Sequence, residues 1–547
     1  MKNNNQHIVI RLLLVCLMTV GISISTFSQD NSVVVPNAYG QGVPVNYIRT
    51  WDALAPQTDP NVLIGSAPTA VRQTTQYLDG LGRPIQVVVK QGSYPTGGSA
   101  SDMVSAMVYD SLGREVRKYL PFAANTTGSN TSISDGLFKP NPFQQQQWFY
   151  SDANNGSPVK GQSETYYYGK TEYEASPLSR PLKTFAPGNA WVNQGRGVEA
   201  KYWINKAADS VRIWTVTDSS NTFGGYASSA IYAAGELYKT VTIDEQGNQS
   251  IEFKDKEGQI ILKKVKLTAT DNGSGSGHVG WLCTYYIYDG LNQLRAVVQP
   301  RGVELLMANS WNTTTLSGAI LSEQCFRYEY DDLGRMIMKK VPGAGAVYMV
   351  YDIKNRSVLS QDANMRGNNK WSYILYDNLN RPVETGLLNS SSSRSAHQGA
   401  ATAAGAAGYP NLSGQTYEML TQTFYDNYDW FGGSKTHSNA YDVYGEGTSS
   451  TVYPYPQAIT DGSSNILRGL VTGMVIKILD TSTYALNFNF YDSKGRLIQT
   501  QKTGLGGASE VITTQYTWSG LPYVTISAQS KDVLASQTNI VVTKNKI

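Results

Sequence analysis

The chain has 547 residues, 41% hydrophobic and only 16% charged, against roughly 25% charged in ordinary soluble domains. A long charged disordered polypeptide is therefore excluded, and the length allows three or four domains of about 150 residues or one long repetitive body. The net charge is +3, with four His and three Cys scattered along the chain, so neither nucleic acid as a partner nor a metal or other cofactor is expected.

Residues 1–28 read as a signal peptide. Lys2 and Arg11 precede the apolar run Leu12 to Val20, Gly21 to Ile24 extend it, and Ser25, Thr26 and Ser28 close it. The strongly apolar part is shorter than the ~20 residues of a spanning helix. The expectation is an exported protein, periplasmic, outer-surface or secreted, with no stable membrane span after signal removal. Cys16 is not read as a lipid-attachment site, because Val15 before it is not small. Residues 29–45, with Pro36 and Pro44, read as an extended linker; 46–188 form an N-terminal domain, and 189–547 a repetitive β-sheet region. Beyond the leader only Cys283 and Cys325 remain. Export permits a disulfide between them, and free buried thiols are the alternative.

The string Y-D-x-x-[G/N]-R occurs in full five times: Tyr109, Asp110, Gly113, Arg114; Tyr330, Asp331, Gly334, Arg335; Tyr351, Asp352, Asn355, Arg356; Tyr376, Asp377, Asn380, Arg381; and Tyr491, Asp492, Gly495, Arg496. Chance would give on the order of 0.01 occurrences in a chain of this composition. Looser copies are Tyr77 to Arg83, Phe253 to Gln259, Tyr288 to Gln293, which loses the Arg, and Asp244 to Gly247. The residue types describe a β-hairpin corner. A strand ends at Tyr, the Asp side chain accepts from backbone N–H groups two residues on, and Gly or Asn supplies a left-handed residue. Arg opens the returning strand, where it would reach the turn Asp or stack on the preceding Tyr. The 36 Tyr against 13 Phe suit half-exposed sheets.

Tyr330, Tyr351 and Tyr376 are 21 and 25 residues apart, which is two strands and two connections with no room for a crossover helix. A lone hairpin is marginal in water, so neighbours must cover one another, giving an all-β fold of consecutive antiparallel hairpins in a continuous curled sheet or partial shell. Asn125 to Asp135, Asp271 to Gly280 and Asn389 to Gly408 read as surface loops, the last with a Ser run and an Ala/Gly run.

Tyr-Asp followed by Gly-Arg at this spacing resembles the YD repeats of RHS proteins. Residues 46–188 are similar to the uncharacterised domain that precedes RHS repeats in exported Bacteroidota-type proteins. Tyr77 to Gln86, Tyr109 to Phe122, Ser176 to Arg180 and Ala186 to Trp191 carry that resemblance, joined downstream by Phe424 to Asp429, Leu470 to Gly473 and Gly504 to Gly507. The resemblance implies a β-hairpin shell, often wound around a C-terminal toxin. This sequence departs from it in having no Asp-Pro-x-Gly-Leu segment, which implies an incomplete shell with a downstream RHS core or toxin cargo as partner.

A G-x-S-x-G elbow, an H-E-x-x-H helix and a phosphate-binding G-x-x-x-x-G-K-[S/T] loop are absent. No residue is assigned a catalytic role and no enzyme activity is expected. His278, His397 and His437 lie in Gly/Ser/Thr-rich surroundings and read as exposed loop residues. Asp426 and Asp429 read as turn caps before cation ligands. Tyr166 to Tyr168, Trp191, Trp203 and Trp214 read as cross-strand packing, with glycan stacking as the alternative. The leading expectation is thus an exported non-enzymatic β-repeat scaffold that packs or presents a passenger; the alternative is a cell-surface adhesin with a glycan partner.

Overall fold

The computed structural model describes residues 35–40, 45–54, 59–93, 100–152, 157, 159–162, 164–267, 274–314, 318–432, 435–445, 465–517, 520–531 and 538–545. The signal peptide and Cys16 lie outside them. The fold is mostly antiparallel sheet, as the hairpin periodicity requires, and it divides into two compact units.

The first unit comprises residues 1–48, 75–172 and 184–197. Its strands Pro84–Val89 and Met103–Val108 pair antiparallel, with Gln86 opposite Ala106. Arg117–Tyr119 joins Met107 and Val108 on one side and Tyr168 to Lys170 on the other. The helix Pro142–Tyr150 begins with proline, whose missing N–H costs nothing in a first turn. Its Phe143 packs with Tyr119, Tyr167, Tyr168 and Phe185, while Val88, Val104 and Phe122 form a second core cluster. Val35 and Tyr39, in the segment read as a linker, pack against these clusters, and Tyr39 N–H donates to the Pro140 carbonyl at 2.7 Å.

The second unit comprises residues 49–74, 173–183 and 198–547. Val198–Ile204 pairs with Tyr238–Ile243, and from there the chain meanders. Gln249–Lys254, Ile260–Lys266, Trp281–Tyr288, Leu294–Val298, Cys325–Tyr330, Met336–Lys340, Val347–Tyr351 and Ser357–Gln361 each pair antiparallel with the strand before. The same rule carries Lys370–Tyr376, Pro382–Asn389, Tyr417–Tyr425, Val471–Lys477, Tyr484–Tyr491, Leu497–Thr503, Ser509–Tyr516, Pro522–Ser530 and Thr538–Lys544. Alternation sets which side is covered. Trp281, Cys283, Tyr285 and Ile287 are buried, as period two requires, while their neighbours are half-buried or exposed. They join Val241, Ile251, Phe253 and Leu262 in one core, which the hairpin Arg212–Thr217 with Gly225–Ile231 and the helix Pro300–Ala308 help to cover.

Two expectations change, and one open choice is decided. The Asn389 to Gly408 segment is not a loop: Arg394–Ala404 is a helix. The Ser393 hydroxyl accepts from Ala396 N–H at 3.2 Å, the alanines favour helix, and Gly405 at φ +54° ends it. The helix also serves the sheet, because the Gln398 amide bonds both N–H and C=O of Tyr351 at 3.0 and 2.8 Å. His278 and His397 are not exposed; both are buried, bonded to the hydroxyls of Tyr285 at 2.7 Å and Tyr409 at 2.6 Å. Burial lowers the His278 imidazole to about 3, with Lys264 and Arg212 adding to the effect. Lastly, Cys283 and Cys325 are free and buried, and burial pushes their thiols up to about 11 and about 12.

Candidate functional site

The repeated corner is the chain's most systematic arrangement of charged groups. At Asp110, Oδ1 accepts from the N–H groups of Leu112 and Arg114, both at 2.9 Å, and Oδ2 accepts from Arg114 Nε at 2.8 Å. Asp110 N–H donates to Arg114 O, and Gly113 N–H returns to Asp110 O. The same bonds recur at Asp331 with Arg335, Asp352 with Arg356, Asp377 with Arg381 and Asp492 with Arg496, and in the looser copy Asp79 with Arg83. Gly113, Gly334, Asn355, Asn380 and Gly495 have φ between 60° and 79°, as the choice of Gly or Asn predicts. The register shifts beside Tyr330, Tyr351, Tyr376 and Tyr491, so each corner is a tight turn closed by a one-residue bulge.

Each Arg does reach its own Asp, but where an Arg stacks on a ring, that ring belongs to the next corner, not to the preceding Tyr. In the second unit the guanidinium of Arg335 lies 5.0 Å from the Tyr351 ring centre, Arg356 4.6 Å from Tyr376, Arg381 4.3 Å from Tyr425 and Arg496 5.0 Å from Tyr516. The reason is antiparallel geometry: the strand opened by Arg runs beside the strand that ends in the next Tyr. The Tyr hydroxyl completes the link by donating to the carbonyl just after that Arg. Tyr351 reaches Met336 O at 2.7 Å, Tyr376 Ser357 O at 3.0 Å, Tyr425 Pro382 O at 3.0 Å and Tyr516 Leu497 O at 3.0 Å. Arg335 and Arg356 also donate to Asn355 Oδ1 and Asn380 Oδ1, at 2.9 and 3.0 Å. Asn therefore does more than tolerate a left-handed conformation. In the first unit Arg83 and Tyr109 repeat the contact at 4.5 Å, with Tyr109 donating to Pro84 O at 2.8 Å.

Four corners escape the strict template. Glu174 replaces Asp in a longer turn and takes Arg180 Nε and Nη2 at 2.9 and 2.8 Å. Arg180 holds this carboxyl down to about 2 and stacks on Tyr202 at 4.4 Å. At Asp426 the corner is opened by an excursion to Gly469, whose N–H donates to Oδ1 at 2.7 Å, and Arg381 grips both oxygens at 2.8 and 2.7 Å. Arg381 holds this carboxyl at about 2. Asp426 is thus a turn cap, and among the described residues no cluster of His, Cys, Asp and Glu suits a metal. Thr517 stands in for Asp, its hydroxyl accepting Leu521 N–H at 3.0 Å. At Asp289 the missing Arg is supplied two residues late: Arg295, buried, donates to Asp289 at 3.1 Å, to Asp218 at 2.7 Å and to Glu329. A template allowing Glu for Asp would have found the Glu174 corner; the Asp289 corner was read as a copy without its Arg, and only the role of Arg295 was missed. Thr517 and the split Asp426 corner carry too little local signal.

Several of the aromatic candidates are packed against other rings. Tyr167 and Tyr168 are buried, Tyr166 packs on Tyr168, and Trp214 packs on Tyr285 and Trp311. Trp203 is exposed, but Lys201 and Lys239 lie near its ring.

Other buried charges are matched locally. Lys139 donates to Asp102 at 2.7 Å and to Ser132 and Asp135 within the segment read as a surface loop, and Lys239 donates to Asp209 at 2.6 Å. Lys264 Nζ donates to the carbonyls of Asp209, Gly275 and Gly277. A cavity of about 650 Å³ walled by Ile476, Leu486 and Asn539 contains Lys502 and Glu510, which pair with each other at 2.8 Å.

Fold and corners together define a class: an antiparallel hairpin-ladder protein whose repeats are locked by Asp, Arg and Tyr. Within it, residues 49–204 match the family model described as a domain of unknown function, DUF6443. No curated protein matches the chain. Among solved structures, it is similar to the Photorhabdus luminescens Tc holotoxin pore carrying a TccC3 mutation, with 12% identity, TM-score 0.45, and coverage of 91% of this chain and 20% of that one. It is also similar to TcdB2-TccC3-TEV, with 13% identity, TM-score 0.39 and coverage of 94% and 22%, and to TcdB2-TccC3-Cdc42, with 13%, 0.37, 86% and 21%. The chain spans about a fifth of the length of these structures.

Proposed function

We propose that the chain is an exported, non-enzymatic scaffold of the RHS type, which packs or presents a passenger polypeptide on a wall of linked hairpins. The observation that carries this reading is the ladder itself. Its Asp and Arg groups, which in a cleft could do chemistry, bond one another and the next corner, and the buried Lys139, Lys239 and Lys264 are likewise saturated. A wall built this way resists local opening, because freeing one corner breaks contacts to two hairpins. The Tyr-Asp-Gly-Arg repeats and the match of residues 49–204 to DUF6443 agree with it. No helix among the described residues is long and apolar enough to cross a membrane.

The test is co-expression of the full chain with the product of the neighbouring reading frame. A passenger held by the wall is expected to co-purify and to survive protease that digests it when alone. Digestion at the same rate with and without the chain would defeat the scaffold reading. Recovery outside the cytoplasm of a product starting near Gln29, read by mass spectrometry, is the expected result for export, and retention of the intact leader in the cytoplasm the contrary one.

A further inference from the structure

One feature in the second unit is not absorbed by the ladder. The serine run 390–393 and Arg394, which open the helix Arg394–Ala404, face Arg366 and Asn369 across a cavity of about 350 Å³ with Met338 and Tyr348 in its wall. That volume is at the small end of ligand pockets. No Asp or Glu lines it among the described residues, so two guanidinium groups border one small space without a facing carboxylate. The carboxylate that acts electrostatically on Arg394 is Asp331. Its oxygens already accept from Leu333 N–H and from the N–H and guanidinium of Arg335.

The two arginines differ in how they are held. Arg366 lies 4.2 Å from the Tyr348 ring centre and donates one Nη1 hydrogen bond to Gln361 O at 3.2 Å, and its other donors have no partner among the described residues. Arg394 makes no side-chain hydrogen bond or ion pair among the described residues, though it is half-buried. The hydroxyls of Ser391 and Ser392 donate to no described group either, while Ser390 and Ser393 are engaged by the N–H groups of Ser392 and Ala396. Half-burying a guanidinium without a partner costs free energy that an anion would recover. Donors from two arginines and two hydroxyls outnumber the acceptor positions one carboxylate can present in a single plane, but they suit a tetrahedral group with three terminal oxygens.

We infer that this cavity binds the phosphate or sulfate group of a compact monoester, its organic portion resting against Tyr348 and Met338. This site is independent of the scaffold reading, since it uses neither a corner Asp nor a passenger surface. The probes are inorganic phosphate, phenyl phosphate and phenyl sulfate, titrated calorimetrically into the full chain at constant chloride. At least one phenyl ester is expected to bind more tightly than inorganic phosphate. Arg394→Ala and Arg366→Ala are each expected to weaken it about tenfold or more, as loss of a charge-assisted hydrogen bond implies, with the ligand-free melting midpoint not lowered for Arg394→Ala. Ser392→Asp, which adds a negative charge at the surface of the cavity, is expected to abolish binding while leaving the fold intact. Failure of both esters to bind above the chloride background, or equal affinity in wild type, Arg394→Ala and Ser392→Asp, would overturn the proposal.

Discussion

Replacing Arg295 with methionine tests the electrostatics of the ladder where they are most buried. Arg295 supplies the cation that the Asp289 corner lacks, and its side chain is only 6% exposed. Of its partners, Asp218 is 85% exposed and counts for little, since exposed pairs contribute roughly 0–1 kcal/mol. Asp289 and Glu329 are 13% and 7% exposed, so Arg295→Met leaves two largely buried carboxylates without their guanidinium. Breaking a buried pair from one side costs about 3–5 kcal/mol, and methionine roughly preserves the packing. Burial already raises the Glu329 carboxyl above its ordinary range, against the opposing pull of Gly224 N–H and Arg295, so losing Arg295 raises it further. A carboxyl raised in the folded state stabilises at low pH and loses that contribution as pH rises through its folded value. The deficit of the variant, measured by urea unfolding of the full chain, is therefore expected to be largest at neutral pH and to shrink as pH falls. Adding Glu329→Gln is expected to recover a substantial part of it at neutral pH. A neutral-pH loss below about 1 kcal/mol would refute the reasoning.

Gly495→Val is expected to cost about 1–2 kcal/mol, because φ there is +74° and a branched side chain resists that region; an unchanged urea midpoint would contradict the corner geometry. Tyr351→Phe removes the 2.7 Å bond to Met336 O and should cost about 1 kcal/mol in the same assay. Arg381 and Arg180 hold Asp426 and Glu174 at about 2, below the unfolded values near 4, so their contribution is present above about pH 4 and is lost as pH falls toward 2. In Arg381→Ala the Asp426 contribution is absent at every pH, so the stability advantage of the wild type over the variant, read by circular dichroism, should shrink as pH falls from about 4 toward 2. Cys283 and Cys325, with thiols raised to about 11 and about 12 by burial, should resist alkylation in the native chain and react after denaturation, as mass spectrometry would show.

The corners were legible in the sequence because their determinants are local. Asp352 bonds groups two and four residues ahead, and Asn355 declares a left-handed backbone by its type. What Arg356 does beyond its own Asp was not legible: the Tyr376 ring lies in the next repeat, and only strand pairing brings it there. The histidines escaped for the same reason. His397 sits in a polar, glycine-containing stretch, yet the Ser393 cap and the alanines make a helix that carries it against Trp371. Arg295 could be assigned to Asp289 only once the alternation of its strand was fixed, and the partnership with Glu329 depends on the strand beyond. Tyr-rich stretches such as Tyr166 to Tyr168 gave no clue to which face they occupy, since tyrosine suits core and surface alike.

The most direct test of the ladder is a pair of double-mutant cycles in urea unfolding, one between Arg356 and Tyr376 and one between Arg356 and Tyr351. Stacking across corners predicts a coupling of about 0.5–2 kcal/mol for Arg356 with Tyr376, exceeding that with Tyr351. Additive effects for Arg356 and Tyr376, or a larger coupling within the single corner, would contradict it.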